Sequence, residues 1–386
     1  MKFDHSHLSY CTNIHPAETW AETFTMLRTH VIAVRDRLRE NGNLGVADAF
    51  AIGLRLSAVA ARELLAGENL AELKGWLEET NTYVFTINGF PYGSFHGTRV
   101  KEQVFKPDWT DQARVEYTKD LFRILAVIAR PGTGASVSTL PGSHKSFSAD
   151  ESQIRRNLIE LAAWLEQLAE ETGYDFHLGL EPEPLGHFEN TAETVAFFQR
   201  LHAETPDSAI VQRRIGVNYD ACHFALEYDA AQTSLTILAG AGIRISKIHL
   251  SSALALDPRD PAALGAIRNF DEPVYFHQVL LRAGAEITRF ADLPDFFSAT
   301  EGGKLNPAAF EEMRVHFHIP LDAEPLLPLR STRDQTREVL TWKKNHPETC
   351  QHYEIETYTW AVLPNDLQRP VEQQIAGEYA WVFDNA

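Results

Sequence analysis

Apolar positions along this chain fall into two alternating patterns. Short, nearly continuous apolar runs read as strands buried on both faces. Between them lie longer stretches with apolar residues three and four apart, the spacing of an amphipathic helix. The run Leu8–His15 is closed by Pro16, and Glu18–Arg39 follows with Trp20, Phe24, Leu27, Val31, Val34 and Leu38 at helical spacing. A second helical region, Val46–Glu79, precedes the strand Tyr83–Asn88. After a long polar loop (Gly89–Thr110), the pattern predicts a helix over Gln112–Ala129, a strand over Ala135–Leu140 and an amphipathic helix over Glu151–Thr172 that stops at Gly173. The second half keeps this rhythm. Strands are predicted at Phe176–Glu181, Ile215–Asp220, Ile245–Leu250, Arg314–Ile319 and His352–Thr357. Helices are predicted at Thr191–Leu201, Ala230–Ala239, Thr332–Lys343 and near Gln368–Phe383. The stretch Asp257–Pro307 is irregular, with an antiparallel pair expected at Tyr275–Leu281 and Ile287–Phe290.

Strands separated by helices of this length imply parallel crossovers and a sheet covered by helices. Roughly eight such units suggest an α/β fold of the closed (β/α)8, or TIM barrel, type. An open doubly wound sheet would normally carry a glycine-rich phosphate turn after its first strand. Here that strand ends Asn13-Ile14-His15-Pro16, without glycine. No low-complexity tract or linker divides the chain. The expectation is one barrel domain over residues 1–386 with insertions at about 42–81 and 257–307.

Composition narrows the function. The 53 acidic residues outnumber the 35 basic ones, for a formal net charge of −18. Such a surface repels phosphate backbones, which argues against a nucleic-acid partner. No stretch approaches the roughly 20 apolar residues of a membrane span. The first residues, MKFDHSHLSYC, lack the apolar core of a secretion signal. Cys11, Cys222 and Cys350 are odd in number and far apart, which argues against a disulfide framework. A reduced, cytoplasmic protein with a small-molecule substrate is expected, without direct membrane insertion.

The chemistry stands at the strand ends. One strand ends Leu180-Glu181-Pro182-Glu183, the next Tyr219-Asp220-Ala221-Cys222-His223, and the next Lys247-Ile248-His249-Leu250. His316 and His318 lie on the predicted seventh strand, and Glu354 and Glu356 on the eighth. In a barrel all C-terminal strand ends meet at one mouth. Carboxylates brought together there repel one another unless a cation joins them. A mixed carboxylate and imidazole set suits a divalent ion, Mn, Co, Fe, Zn or Mg, rather than a closed thiolate site. Strand period places Glu354 and Glu356 on one face, with Glu356 nearer the mouth. Asn13 and His15, ending strand one, and Asn88, ending strand two, are expected to hydrogen-bond substrate, and Glu183, His316 and His318 to line the substrate space. The aromatic, glycine-flanked loop over 83–97, which holds His96, reads either as a lid over the mouth or as a surface patch. Tyr275-Phe276-His277-Gln278 is a further candidate cover.

The set Leu180-Glu181-Pro182, Asp220-x-x-His223, His249 and Glu356 resembles the xylose-isomerase-like TIM barrels, which include sugar-phosphate isomerases and epimerases. More closely, SYCTNIHPAETW (9–20), GLRLSAVAARELL (53–65), TINGFPYGSFHG (86–97), GLEPEP (179–184), NYDACHFALEY (218–228), KIHLSS (247–252) and YEIETYTW (353–360) resemble the EboE-type metabolite traffic proteins. The wider resemblance implies a metal held by Glu181, Asp220, His249 and Glu356. It also implies that Glu181 and Glu356 double as proton-transfer bases on opposite faces, and that His223 touches the substrate or a second metal. It implies a metal-dependent isomerase or epimerase acting on a small polyhydroxylated or carbonyl metabolite. The closer resemblance implies a protein that holds or hands over a pathway intermediate, with protein partners from that pathway. A DNA-repair endonuclease of the same superfamily is disfavoured by the acidic charge. The chain departs from the epimerases at Ser251-Ser252, where a charged residue often follows the histidine.

Overall fold

A computed structural model describes residues 1–93, 101–323, 327–365 and 367–386. Numbered along the chain, its strands are β1 (Lys2–Phe3), β2 (Ser6–Tyr10), β3 (Phe50–Arg55), β4 (Thr82–Asn88), β5 (Ala135–Thr139), β6 (Phe176–Leu180), β7 (Ile215–Asp220) and β8 (Arg244–Leu250). There follow β9 (Leu254–Leu256), β10 (Val279–Ala283), β11 (Glu286–Phe290), β12 (Glu312–Val315), β13 (Arg330–Ser331) and β14 (His352–Ile355). The order β2-β14-β8-β7-β6-β5-β4-β3 is parallel throughout. A parallel bridge from Cys11 to Gly53 joins the two edges. The fold is therefore a (β/α)8 barrel, with β1 added as a short antiparallel hairpin arm on β2. Gly53 is required at the seam. A Cβ there would stand 2.6 Å from the Tyr10 carbonyl oxygen and 1.8 Å from Glu354 Oε1.

Two expectations about the strands need correction, and the errors offset each other in the count. The segment 42–81, expected as an insertion, supplies the barrel strand β3 and the crossover helices Ala58–Leu64 and Asn69–Glu79. The Arg314–Ile319 segment, expected as the seventh barrel strand, instead contributes to β12 in a second sheet. That sheet has the order β11-β10-β12-β9-β13 and is antiparallel throughout. The late insertion thus reaches from Leu254 to Ser331, beyond the expected 257–307. It carries its own core, in which Leu254, Leu281, Phe296, Met313, Val315, Phe317 and Ile319 are buried together. Strand period explains the misreading. Val315, Phe317 and Ile319 alternate as strand residues do, but they face this smaller core and not the barrel. The barrel's larger core lies between its strands and the surrounding helices, among them the amphipathic helices Gln112–Ile128 and Glu151–Thr172. Asp111 and Asp150 cap these two helices, accepting from Ala113 N and Ser152 N.

Candidate metal centre

Glu181 follows directly on β6, Asp220 ends β7, His249 is the penultimate residue of β8, and Glu356 follows one residue after Ile355 at the end of β14. All four are buried, and one donor atom from each lies within 4.8 Å of the others. The adjacent strands bring them together, with Asp220 opposite His249 in the β7–β8 register. His249 Nδ1 stands 3.1 Å from Glu181 Oε1, 3.3 Å from Asp220 Oδ2 and 3.1 Å from Glu356 Oε2. Donors bound about 2.1 Å from a shared ion are separated by about 3.0–3.4 Å along the edges of its octahedron or tetrahedron. The ring therefore fits a divalent cation in donor chemistry, and its three separations from His249 Nδ1 match such edges.

Its electrostatics point the same way. Burial opposes protonation of His249, but Glu356 and Glu181 outweigh it and hold the imidazole well above its ordinary value. Burial likewise opposes the charged form of Asp220. His223 and the hydrogen bond with His249 prevail and keep the acid well below the usual carboxylate range. A proton on His249 thus takes the place of a cation among three carboxylates. Asp220 also caps the short helix Ala221–Leu226, its Oδ1 accepting from Cys222 N (2.7 Å), His223 N (3.1 Å) and Ser251 Oγ (2.7 Å). Its other oxygen is left for the ring. The serine after Leu250 thus orients Asp220.

Beside the ring lies a cavity lined by both polar and aromatic residues. Asn13 Nδ2 and Asn88 Nδ2 both donate to Glu356 Oε1, at 2.8 and 3.2 Å. Both asparagines line the cavity with Glu181, Glu183, His223, His316 and Glu356. Phe90, Phe105, Tyr275, Phe276 and Tyr358 form its apolar side. The late insertion contributes Tyr275, Phe276, Gln278 and His316 to the cavity lining, so three of the four residues of the Tyr275–Gln278 segment reach the site. Within the aromatic loop, Phe90 and Pro91 line the cavity, whereas Tyr92 packs edge-on against Tyr117 at 5.0 Å. His96 lies outside the described residues.

Of the residues expected to meet substrate, His15 and His318 do not line the cavity. β2 ends at Tyr10, and a 3-10 turn over Thr12–Ile14 carries His15 outward. There it meets the Tyr10 hydroxyl at 3.1 Å and stacks on His30, with ring centroids 4.7 Å apart.

His223, His316 and His318 form a second group beside the ring. The His223 ring lies 4.9 Å from His316 and 5.5 Å from His318. His223 Nδ1 is 3.0 Å from the Pro182 carbonyl and 3.4 Å from Glu183 Oε2. His316 Nδ1 meets Gln278 Oε1 at 2.6 Å, and His318 Nδ1 meets the Glu356 carbonyl at 3.0 Å. Nε2 of both His316 and His318 is buried without a hydrogen-bond partner. Asp220, His223 and His318 converge as donors, as do Glu183, His223 and His316. Burial pushes His223 down to about 4 and His316 well below its ordinary value, so both are neutral donors near pH 7. Burial, then Glu181 and Asp220, push Glu183 well above the carboxylate range. Burial and the nearby acids raise the Cys222 thiol well above its usual value, which leaves no thiolate there.

Sequence reasoning passed over Lys247. Its fully buried Nζ donates to Glu354 Oε2 (2.6 Å) and Ser138 Oγ (2.8 Å) beneath the ring. The signal was the Lys-x-His spacing on β8, which puts Lys247 and His249 on one face.

No family model matches the chain, and no curated protein matches it in sequence. Solved structures do match. The IOLI protein, solved with a binding zinc atom, is 11% identical with a TM-score of 0.49, covering 98% of this chain and 97% of its own. A xylose isomerase domain containing protein from Salmonella typhimurium LT2 is 12% identical with a TM-score of 0.46, covering 100% of this chain and 98% of its own.

Proposed function

We propose that this chain is a metal-dependent, isomerase- or epimerase-like enzyme for a small polyhydroxylated or carbonyl metabolite. In this reading it is a xylose-isomerase-like barrel of the EboE type, working in the cytoplasm. The observation that carries the reading is the ring itself: Glu181, Asp220, His249 and Glu356, from four strand ends, with donor atoms within 4.8 Å of one another and with Glu181 and Glu356 lining a cavity. Glu181, Asp220, His249 and Glu356 would hold a divalent ion, Mn, Co, Zn, Fe or Mg. When bound, the ion supplies a Lewis acid that withdraws charge from a substrate oxygen.

The protein's own groups account for the rest. Asn13 and Asn88 hold Glu356 Oε1 by two amide donors, which fixes the carboxylate against the cavity wall. Glu181 and Glu356 both face the cavity and serve as the proton-transfer pair in this reading. His223 and Glu183, 3.4 Å apart beside the ring and both on the cavity lining, orient a substrate hydroxyl or carbonyl. The aromatic wall excludes water and packs against the carbon skeleton. The unpartnered Nε2 atoms of His316 and His318 suit a second ion, and that of His316, on the cavity lining, a substrate hydroxyl.

A second reading is favoured by the late insertion's share of the cavity lining, with Tyr275, Phe276 and His316. In it the barrel holds a pathway intermediate without transforming it and passes it to protein partners. No helix among the described residues is long and apolar enough to cross a membrane, so membrane contact would come from such partners.

One experiment separates the readings. The protein is loaded with Mn²⁺ and incubated in D₂O with a panel of small aldoses, ketoses and hydroxy-carbonyl compounds, and proton NMR follows exchange next to the carbonyl. The enzyme reading predicts deuterium incorporation that chelator abolishes. Binding of a panel compound without exchange supports the holding reading. A protein with no affinity for any divalent ion would contradict the metal reading.

A further inference from the structure

Beneath the ligand ring lies a second polar layer that does not line the cavity. Lys247 and Glu354 are both fully buried there. Glu354 Oε2 lies 3.0 Å from His249 Nε2 and accepts from Lys247 Nζ at 2.6 Å, and Lys247 also donates to Ser138 Oγ at 2.8 Å. The barrel register produces the layering. Glu354 pairs with His249 across β14 and β8, and the period of two places Lys247 below His249 and Glu354 below Glu356. Space is reserved for this carboxylate, because any side chain at Gly53 would collide with Glu354 Oε1.

We propose that Glu354 and Lys247 are positioning residues for the ion site. Glu354 accepts the Nε2 proton of His249, so that the Nδ1 lone pair faces Glu181, Asp220 and Glu356, and Lys247 cancels the charge of Glu354. The proposal rests on the metal reading above. Its logic is one of charge and tautomer. Three ring carboxylates already exceed a divalent ion's charge by one. A fourth, uncompensated acid in the next layer would add to that excess, and the lysine removes it. A neutral imidazole has one N–H, and the hydrogen bond made by one nitrogen decides which nitrogen is free to bind an ion. A buried ion pair is also a poor way to gain stability alone, since apolar residues of similar volume serve as well or better.

The test uses Zn²⁺ as probe with the wild-type protein, Glu354→Gln and the double variant Lys247→Met/Glu354→Gln. Affinity is read by competition with a chromophoric chelator, the His249 tautomer by ¹⁵N NMR of the imidazole, and folding by thermal melting. In the zinc-loaded wild type, His249 is expected to carry its proton on Nε2 and the metal on Nδ1. Both variants should lose affinity by about ten- to a hundredfold, as for other outer partners of metal-binding histidines. Glu354→Gln strands a buried lysine. If it does not fold, the double variant, which removes both charges, gives the answer. A folded double variant with wild-type zinc affinity would overturn the proposal. So would a zinc-loaded wild type with its proton on Nδ1, a result that needs no variant. A wild type that binds no zinc would fail differently, removing the metal reading and the positioning role together.

Discussion

His249 and His352 sit on neighbouring strands of one barrel, and both are buried, yet their surroundings drive them in opposite directions. His352 begins β14, with Nδ1 2.7 Å from Ser136 Oγ and Nε2 2.8 Å from the Thr133 carbonyl. Its partners are neutral, and burial pushes it down to about 3. His177, beside it, repeats the arrangement with Ser246 Oγ at 2.6 Å and is also driven well below its ordinary value. His249 stands at the other end of the barrel among Glu181, Asp220, Glu354 and Glu356, and is driven up. Burial is common to both ends, so the charge of the neighbours decides the sign. Of these three buried histidines, only the one on which carboxylates converge is driven up.

The contrast should be sharpest in metal binding. Asp220→Asn keeps an oxygen to cap Ala221–Leu226 but removes anionic charge from the ring. It is expected to lower Mn²⁺ affinity by more than the roughly 10–100-fold seen for outer-shell changes, with little loss of melting temperature. Calorimetric titration checks it, and an unchanged affinity would leave Asp220 as a helix cap alone.

His352→Leu should do the reverse. It leaves the Thr133 carbonyl and the Ser136 hydroxyl without this partner, at a cost of about 1–3 kcal/mol in denaturant unfolding. Mn²⁺ affinity should stay at the wild-type value.

Acid and base should separate the two histidines next. His352 has a folded value of about 3, below its unfolded value near 6.5. Its contribution is full above about 6.5 and is lost as pH falls through that window. His249 is raised, so in the metal-free protein its contribution is full below about 6.5 and is lost as pH rises through its folded value. Metal-free unfolding curves across pH should therefore lose an acid-side slope in His352→Leu and an alkaline-side slope in His249→Gln. Matching slopes in both variants would break the comparison.

The smallest effect is expected at His223. It lies one helical turn beyond Asp220 and does not belong to the four-residue ring. His223→Asn should leave Mn²⁺ affinity within about threefold, since it removes no ligand of the ring, while weakening ligand handling in the exchange assay. A loss as large as that of Asp220→Asn would make His223 a direct ligand and the centre dinuclear.

Much of this site was legible because strand ends carry unusual residues. Glu181, Asp220, His249 and Glu356 each interrupt an apolar run, and a closed barrel gathers such interruptions at one mouth. Asn13 was legible too, although it reaches Glu356 from a turn and not from a strand. His15 was misplaced because the apolar run Leu8–His15 continues past Cys11, the last residue to pair with both neighbouring strands before the 3-10 turn Thr12–Ile14. Phe50–Arg55 was hidden among helix formers on either side, and its Gly53 gives no apolar signal although the seam depends on it. The second sheet was only partly legible. Alternation shows that Val315, Phe317 and Ile319 share a face, but it cannot say which core they fill. Lys247 and Glu354 were visible as period-two companions of His249 and Glu356. Their pairing depends on which strands are neighbours, and local sequence does not show that.

The most direct check is anomalous diffraction from crystals grown with Mn²⁺, collected on both sides of the manganese edge. A strong manganese peak is expected among Glu181, Asp220, His249 and Glu356, with His249 Nδ1 and carboxylate oxygens about 2.0–2.3 Å from it. Full-strength data with no peak there, or with manganese only beside His316 and His318, would contradict the assignment of this ring as the ion site.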